Sequence, residues 1–201
     1  MIDLHETRLQ TVTARLLAAG ARSVLDLGCG PGELLIRLAS HCQFERIVGI
    51  DICAASVAEA RQRLQMSAIG TNRRVEVALA SFTEPDPRLT GFDAAVMLET
   101  IEHIDPNRLS RVETAVFGCF RPATVLITTP NAEYNPIRGL GPDMFRHPDH
   151  RFEWDRARFR RWCRGVASRN DYQVWFADIG DCDEALGAST QMAVFETDQP
   201  G

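Results

Sequence analysis

Residues 23–32 constrain the possible folds more than any other stretch. Ser23-Val-Leu-Asp-Leu27 is a short apolar run around one acid, and it passes directly into Gly28-Cys-Gly-Pro-Gly32. Leu34, Leu35 and Leu38 then recur at helical spacing. A buried strand, a tight glycine turn and a helix make the first half of a βαβ unit. The rhythm continues along the chain. Leu9, Val12, Leu16 and Leu17 mark an amphipathic first helix, and further strands are expected at 46–50, 75–78, 92–98 and 124–128. Helices are expected at 54–66 and 106–118 between them. Alternation of this kind predicts an α/β fold with a mostly parallel sheet and right-handed crossovers. After Pro130 the pattern breaks into a long segment, 130–154, with prolines at 130, 136, 142 and 148. Asp155 is a suitable N-cap for a helix over 156–168, and two strands at 172–177 and 191–196 complete a count of seven. With 201 residues, no internal repeat and no linker, one domain is expected, whether the chain stands alone or is the C-terminal part of a longer protein.

The glycine turn also carries chemistry. Glycines let the backbone approach a ligand closely, and a helix N-terminus offers free N–H groups. The next strand ends in Asp51, about 20 residues on, where an acid can take both hydroxyls of a ribose. A dinucleotide site would show the GxGxxG form; here the glycines stand at 28, 30 and 32. Asp26-Leu-Gly-Cys-Gly-Pro-Gly32 instead resembles the first motif of the class I S-adenosylmethionine-dependent methyltransferases, whose sheet is Rossmann-like, seven-stranded and covered by helices on both faces. That resemblance implies a methionine moiety near Asp26 and Gly28, the ribose at Asp51, and the adenine edge near Ser81 and Phe82.

The fourth strand runs into Glu99-Thr-Ile-Glu102-His103. If the chain turns helical there, positions i, i+3 and i+4 share a face. Two carboxylates and an imidazole at a strand's C-terminal end could bind a divalent cation, and oxygen with nitrogen ligands suits Mg²⁺ or Mn²⁺. The same string also serves as a structural cap or substrate contact in methyltransferases that bind no metal, so a fourth ligand from the long segment would decide the matter.

Thr129-Pro-Asn-Ala-Glu-Tyr-Asn135, Asp149-His-Arg-Phe-Glu-Trp154 and Thr190-Gln191 accompany that string. Together they resemble the Hen-type small-RNA 3′-terminal ribose 2′-O-methyltransferases, in bacterial form, over most of the chain from Ser23 to Phe195. The resemblance implies transfer of a methyl group from S-adenosylmethionine to the 2′-hydroxyl of the 3′-terminal ribose of RNA. It also implies metal ligands Glu99, Glu102, His103 and His150, a substrate RNA with free 2′,3′-hydroxyls, and a polynucleotide kinase-phosphatase as repair partner. His147 competes with His150 for the fourth place. With His103 it is also a candidate proton acceptor, or else an RNA contact. Two other readings compete: a metal-free small-molecule O-methyltransferase, and a non-catalytic cofactor-binding subunit that presents RNA ends.

Charge at first argues against RNA, since the net value is −5. All 22 basic residues are arginine, however, and their distribution is uneven. Residues 138–169 carry nine arginines against Asp143, Asp149, Glu153 and Asp155, while residues 170–201 carry seven acids and no arginine. Arg138, Arg146 and Arg151 in the long segment are expected phosphate contacts, with Arg156, Arg158, Arg160, Arg161 and Arg164 on the helix beyond. Phe152 and Trp154 are candidate stacking surfaces, whereas Phe159 and Trp162 read as core. None of the six cysteines forms a CxxC pair, and no apolar run approaches a membrane span, so a cytoplasmic protein with reduced thiols is expected.

Overall fold

The computed structural model describes residues 3–67, 74–141 and 144–198, so Pro142 and Asp143 of the sequence reading lie outside the described residues. Seven strands form one sheet: β1 (Ser23–Leu27), β2 (Arg46–Asp51), β3 (Val75–Leu79), β4 (Ala94–Leu98), β5 (Thr124–Pro130), β6 (Gln173–Asp183) and β7 (Gly187–Glu196). Their order is β3-β2-β1-β4-β5-β7-β6. The first five pair in parallel, and β7 runs antiparallel to both β5 and β6. The order reverses between β1 and β4, and in open α/β sheets ligands collect at that point, beyond the C-terminal strand ends.

Strand alternation divides the core in two. Val24, Val96, Leu126 and Val194 face one side, where they pack with Leu9, Val12 and Leu16 of α1 (Leu4–Ala18), Leu35 and Leu38 of α2 (Glu33–Ala39), and Val57 and Leu64 of α3 (Ala54–Met66). Leu25, Met97, Ile127 and Phe195 face the other side. There they meet Val112 of α4 (Leu109–Val112), Phe117 and Phe120 of the π-helical stretch that prolongs it (Glu113–Phe120), and Phe159 and Val166 of α5 (Arg156–Asn170). Asp155 caps α5 by accepting the Arg158 N–H at 2.6 Å.

Several expectations need correction. The helix expected at 106–118 is a 3₁₀ turn (Pro106–Arg108), then α4 and its π-helical continuation. Strand β4 begins at Ala94 rather than Phe92, because Asp93 accepts the Arg22 and Ser23 N–H groups and Phe92 turns into the core. The last two strands are longer than their apolar centres, since β6 and β7 project as a hairpin past Ile179. Nor is the 130–154 segment structureless. It holds a 3₁₀ helix, Ala132–Arg138, and its two ends are pinned together. Ala132 N–H donates to Trp154 O at 3.1 Å, and the Gln191 amide donates to Pro130 O and Trp154 O.

Candidate active site

The glycine turn sits at the end of β1, against the neck of β2. Gly28 and Cys29 N–H both donate to Ile50 O, and Gly30 N–H donates to Asp51 Oδ2 at 2.9 Å. Asp51 Oδ1 takes the Cys53 N–H at 2.8 Å, so its carboxylate is fixed beside the turn. Gly28 has φ +86°, and a Cβ there would fall 2.5 Å from Thr100 Cγ2. That close approach requires glycine and seats the turn directly against the Glu99–His103 string. Asp26 is buried, and burial, with the charge of Asp51 adding, pushes its carboxyl up to about 7. Ser81 follows β3 with its hydroxyl on Thr83 at 2.8 Å, and Phe82 is buried in the core beside it. The residues expected around a nucleoside therefore lie along the ends of β1, β2 and β3.

The Glu99–His103 string is not a helical face. Glu99 adopts φ +50°, a left-handed conformation unfavourable for a non-glycine residue, and only Ile101–His103 form a 3₁₀ turn. The bend gives the two carboxylates different partners. Glu102 is fully buried, with Oε2 accepting the Thr129 hydroxyl at 2.9 Å and Oε1 buried without a partner. Glu102, His103 and His150 each present a ligating atom within 4.8 Å of the others. Glu99 stands beside them, with Oε2 on Arg8 Nη2 at 2.7 Å and Oε1 buried and unpartnered. Burial holds Glu99 above the ordinary carboxylate range despite Arg8, and burial with the Glu99 charge holds Glu102 well above it. Two buried, unpartnered carboxylate oxygens at one place fit a cation better than they fit an apo resting state.

The long segment supplies the rest. Arg151 N–H donates to Glu102 O at 2.7 Å, which brings the segment onto the string. The His150 Nδ1–Glu153 Oε1 contact is 2.6 Å, so Nδ1 is used on a carboxylate and Nε2 is the available nitrogen. Histidines that bind metals are characteristically oriented in this way. Glu153 also accepts the Asn135 amide and the Arg146 N–H, each at 2.6 Å. Burial pushes Glu153 up, but His150, Asn135 and the Arg146 N–H hold it below the ordinary range. Burial, with His150 nearby, lowers His103, which keeps that ring neutral at pH 7.

His147 joins the cluster from the exposed side. Its ring lies 6.0 Å from His103 and 5.7 Å from His150. Its Nδ1 accepts the Asp149 N–H at 3.2 Å, and in the neutral ring that bond leaves Nε2 carrying the proton. Arg138 and Arg151 are both exposed, and Arg138 lines the cavity that holds the cluster. Arg146 is instead a clamp, with its guanidinium on Asn135 Oδ1, Ser189 O and Asn131 O. Burial lowers it to about 10. Phe152 and Trp154 stack on each other in the core, 4.2 Å between centroids, and are not available to bases. Arg156 is spent on Glu133 and Ala185 O, while Arg160 and Arg164 lie over the Phe176 ring.

Sequence reasoning missed two supporting residues. Glu153 was detectable, since it stands three residues after His150 and a ligating histidine needs such an acceptor. Arg8 carries no local signal; it lies on α1, and only the fold brings it to Glu99 and Thr190.

The sheet order, the glycine turn on β1 and the acid ending β2 define an S-adenosylmethionine-dependent methyltransferase domain, and a family model described as a methyltransferase domain matches residues 24–123. The solved methyltransferase domain of the bacterial protein CtHen1 superposes with a TM-score of 0.87 at 41% identity, covering 97% of this chain and 99% of that one. The small RNA 2′-O-methyltransferase of Gallus gallus is 35% identical over 98% of this chain and 54% of its own length. For the Mus musculus enzyme the values are 36%, 96% and 50%. The chain belongs to the Hen1 family of small RNA 2′-O-methyltransferases, and it spans about half the length of the curated relatives it matches.

Proposed function

We propose that this chain transfers the methyl group of S-adenosylmethionine to the 2′-hydroxyl of the 3′-terminal ribose of RNA, with a divalent cation held by Glu99, Glu102, His103 and His150. The observation that carries this reading is the pair of buried, unpartnered oxygens on Glu99 and Glu102, beside two histidines whose ligating atoms lie within 4.8 Å of each other and of Glu102. A cation held there would supply the charge that acidifies a hydroxyl, and would favour a terminal ribose, whose vicinal diol is free. The side chains prepare that position. Thr129 and Arg8 each occupy one carboxylate oxygen and leave the other free, and Glu153 fixes the tautomer of His150. In the transfer the S–CH₃ bond breaks as the O–CH₃ bond forms, S-adenosylhomocysteine leaves, and the hydroxyl proton departs. Of the two candidate acceptors, His103 is assigned to the cation and His147 has its Nδ1 engaged by the Asp149 N–H. We therefore assign the proton to water at the open side of the cavity and give His147 and Arg151 to the substrate.

This reading differs from its rivals at the RNA end. An internal nucleotide has its 3′-oxygen in a phosphodiester and offers no vicinal diol. The test is methyl transfer from labelled cofactor to an RNA ending in 2′,3′-hydroxyls, beside the same RNA ending in a 3′-phosphate or a 2′-deoxyribose, with Mn²⁺ or Mg²⁺ and with EDTA. Methylation of the first RNA alone, abolished by EDTA, is expected. Methylation of the 3′-phosphate RNA, or transfer in EDTA, overturns the role given to the cation. A further reading, that the chain works beside a polynucleotide kinase-phosphatase in repair, is tested by co-purification of the two proteins.

A further inference from the structure

Two cavities open side by side near the strand ends. The first, about 360 Å³, holds Glu99, Glu102, His103, His147 and His150. The second, about 280 Å³, lies between the start of α1, the 3₁₀ helix Ala132–Arg138 and the projecting β6–β7 hairpin. Both are lined by Asp3, Leu4 and Arg138. Arg138 is exposed, and no carboxylate of the described residues pairs with it. A guanidinium with no carboxylate partner among the described residues therefore stands on the boundary between the two cavities. The remaining polar lining of the second cavity is of another kind: Asp181, Tyr134, Thr7 and Ser189. Asp3 shares the boundary with Arg138, its carboxylate accepting the His5 N–H, while deeper in the second cavity a carboxylate and hydroxyls suit the N–H edge and the ribose hydroxyl of a nucleoside.

We propose that the second cavity is the subsite for the penultimate nucleoside of the RNA, and that Arg138 holds the phosphodiester joining it to the terminal nucleoside in the first. This rests on the reaction proposed above. It makes the enzyme a reader of two nucleosides: the terminal ribose is selected by its diol, and the next one is positioned by a base-sized recess. Arg138 contributes a charge-assisted contact to the one phosphate that every such end has in common. The effect is on binding, because the second cavity holds none of the side chains given to the cation.

The experiment compares three RNAs of one sequence: intact, abasic at the penultimate position, and abasic at the third position from the 3′ end. Each is assayed for methylation by the whole chain and for binding by fluorescence anisotropy in EDTA. Losing the penultimate base is expected to raise KM and Kd about tenfold, in keeping with the loss of one well-held base, at unchanged kcat. Losing the third base is expected to change each less than about twofold, since no contact beyond the second cavity is invoked. Thr7→Trp, which fills the recess, should remove the difference between the intact and penultimate-abasic RNAs, and a thermal scan shows whether the variant is folded. Equal KM and Kd for all three RNAs, or equal losses at both abasic positions, overturn the subsite. Discrimination in binding without methylation of any RNA overturns the proposed reaction and leaves the subsite standing.

Discussion

The two ends of this site are built differently. The cofactor end is made mostly of backbone. Its contacts are Gly28, Cys29 and Gly30 N–H groups on Ile50 and Asp51, all from two adjacent strand ends. The proposed cation end is made of side chains from separate segments, each held from behind by another side chain: Glu99 by Arg8, Glu102 by Thr129 and His150 by Glu153. A backbone turn is fixed by its own conformation. A convergent set of ligands is only as well placed as its supports, which accounts for the number of buried polar residues invested behind it.

That contrast can be broken most severely at Glu102. Replacing it by Gln should cost about a thousandfold or more in kcat/KM with the cation present, since several kcal/mol of charge stabilisation is at stake. In EDTA the same variant should melt at a higher temperature than the parent at pH 8, because a buried carboxylate repelled by Glu99 has been replaced by a neutral amide. A lower Tm would mean that Glu102 is comfortable without a cation and would remove the main support for one. Glu153→Ala comes next. Loss of an orienting carboxylate typically costs about 10–100-fold in metal affinity, and titration calorimetry should find that loss for Mn²⁺ while S-adenosylmethionine affinity stays at the parent value. If cofactor affinity falls equally, the two ends are one unit and the contrast fails.

The smallest effect concerns pH at the cofactor end. Asp26 has its carboxyl raised to about 7 in the free protein. A raised carboxyl contributes stability that is present below its unfolded value and is lost as pH rises through the folded one, so the cofactor-free protein should lose stability between about pH 4 and 7. The methionine moiety expected near Asp26 would pair its ammonium with the ionised form. Affinity for S-adenosylmethionine should therefore weaken by up to about tenfold per unit as pH falls below 7. Calorimetry from pH 5.5 to 8 measures this, and a flat profile, or the same slope in Asp26→Asn, rules out Asp26 as the group responsible.

The same contrast explains what could be read in the sequence. The expected cofactor end lies in ten consecutive residues and one acid on the next strand, so the glycine turn and Asp51 stood out by spacing, while the kind of cofactor came from a motif resemblance. The proposed cation ligands stood out as a set only through their likeness to a family. Their geometry did not, because the left-handed turn at Glu99 has no glycine to announce it. In the fold, apolar alternation located all seven strands. It missed the outer half of β6, where Gly180, Asp181 and Cys182 are exposed on a projecting hairpin and no buried face imposes a pattern. The π-helical stretch was read as ordinary helix because both bury Val116, Phe117 and Phe120. The arginine excess of 138–169 was real as a count but mixed in its uses. Arg146 and Arg156 brace the protein itself, while Arg138 and Arg151 face outward.

One contact ties the two ends together. Gly28 of the cofactor turn abuts Thr100, the residue between the left-handed Glu99 and the 3₁₀ turn that carries Glu102. Ligands on either side of such a contact share a thermodynamic cycle. By whatever factor bound S-adenosylmethionine alters the affinity for a cation, the cation must alter the affinity for S-adenosylmethionine by the same factor. Order of addition then has no bearing on the final complex, and one measured coupling constant describes both ligands.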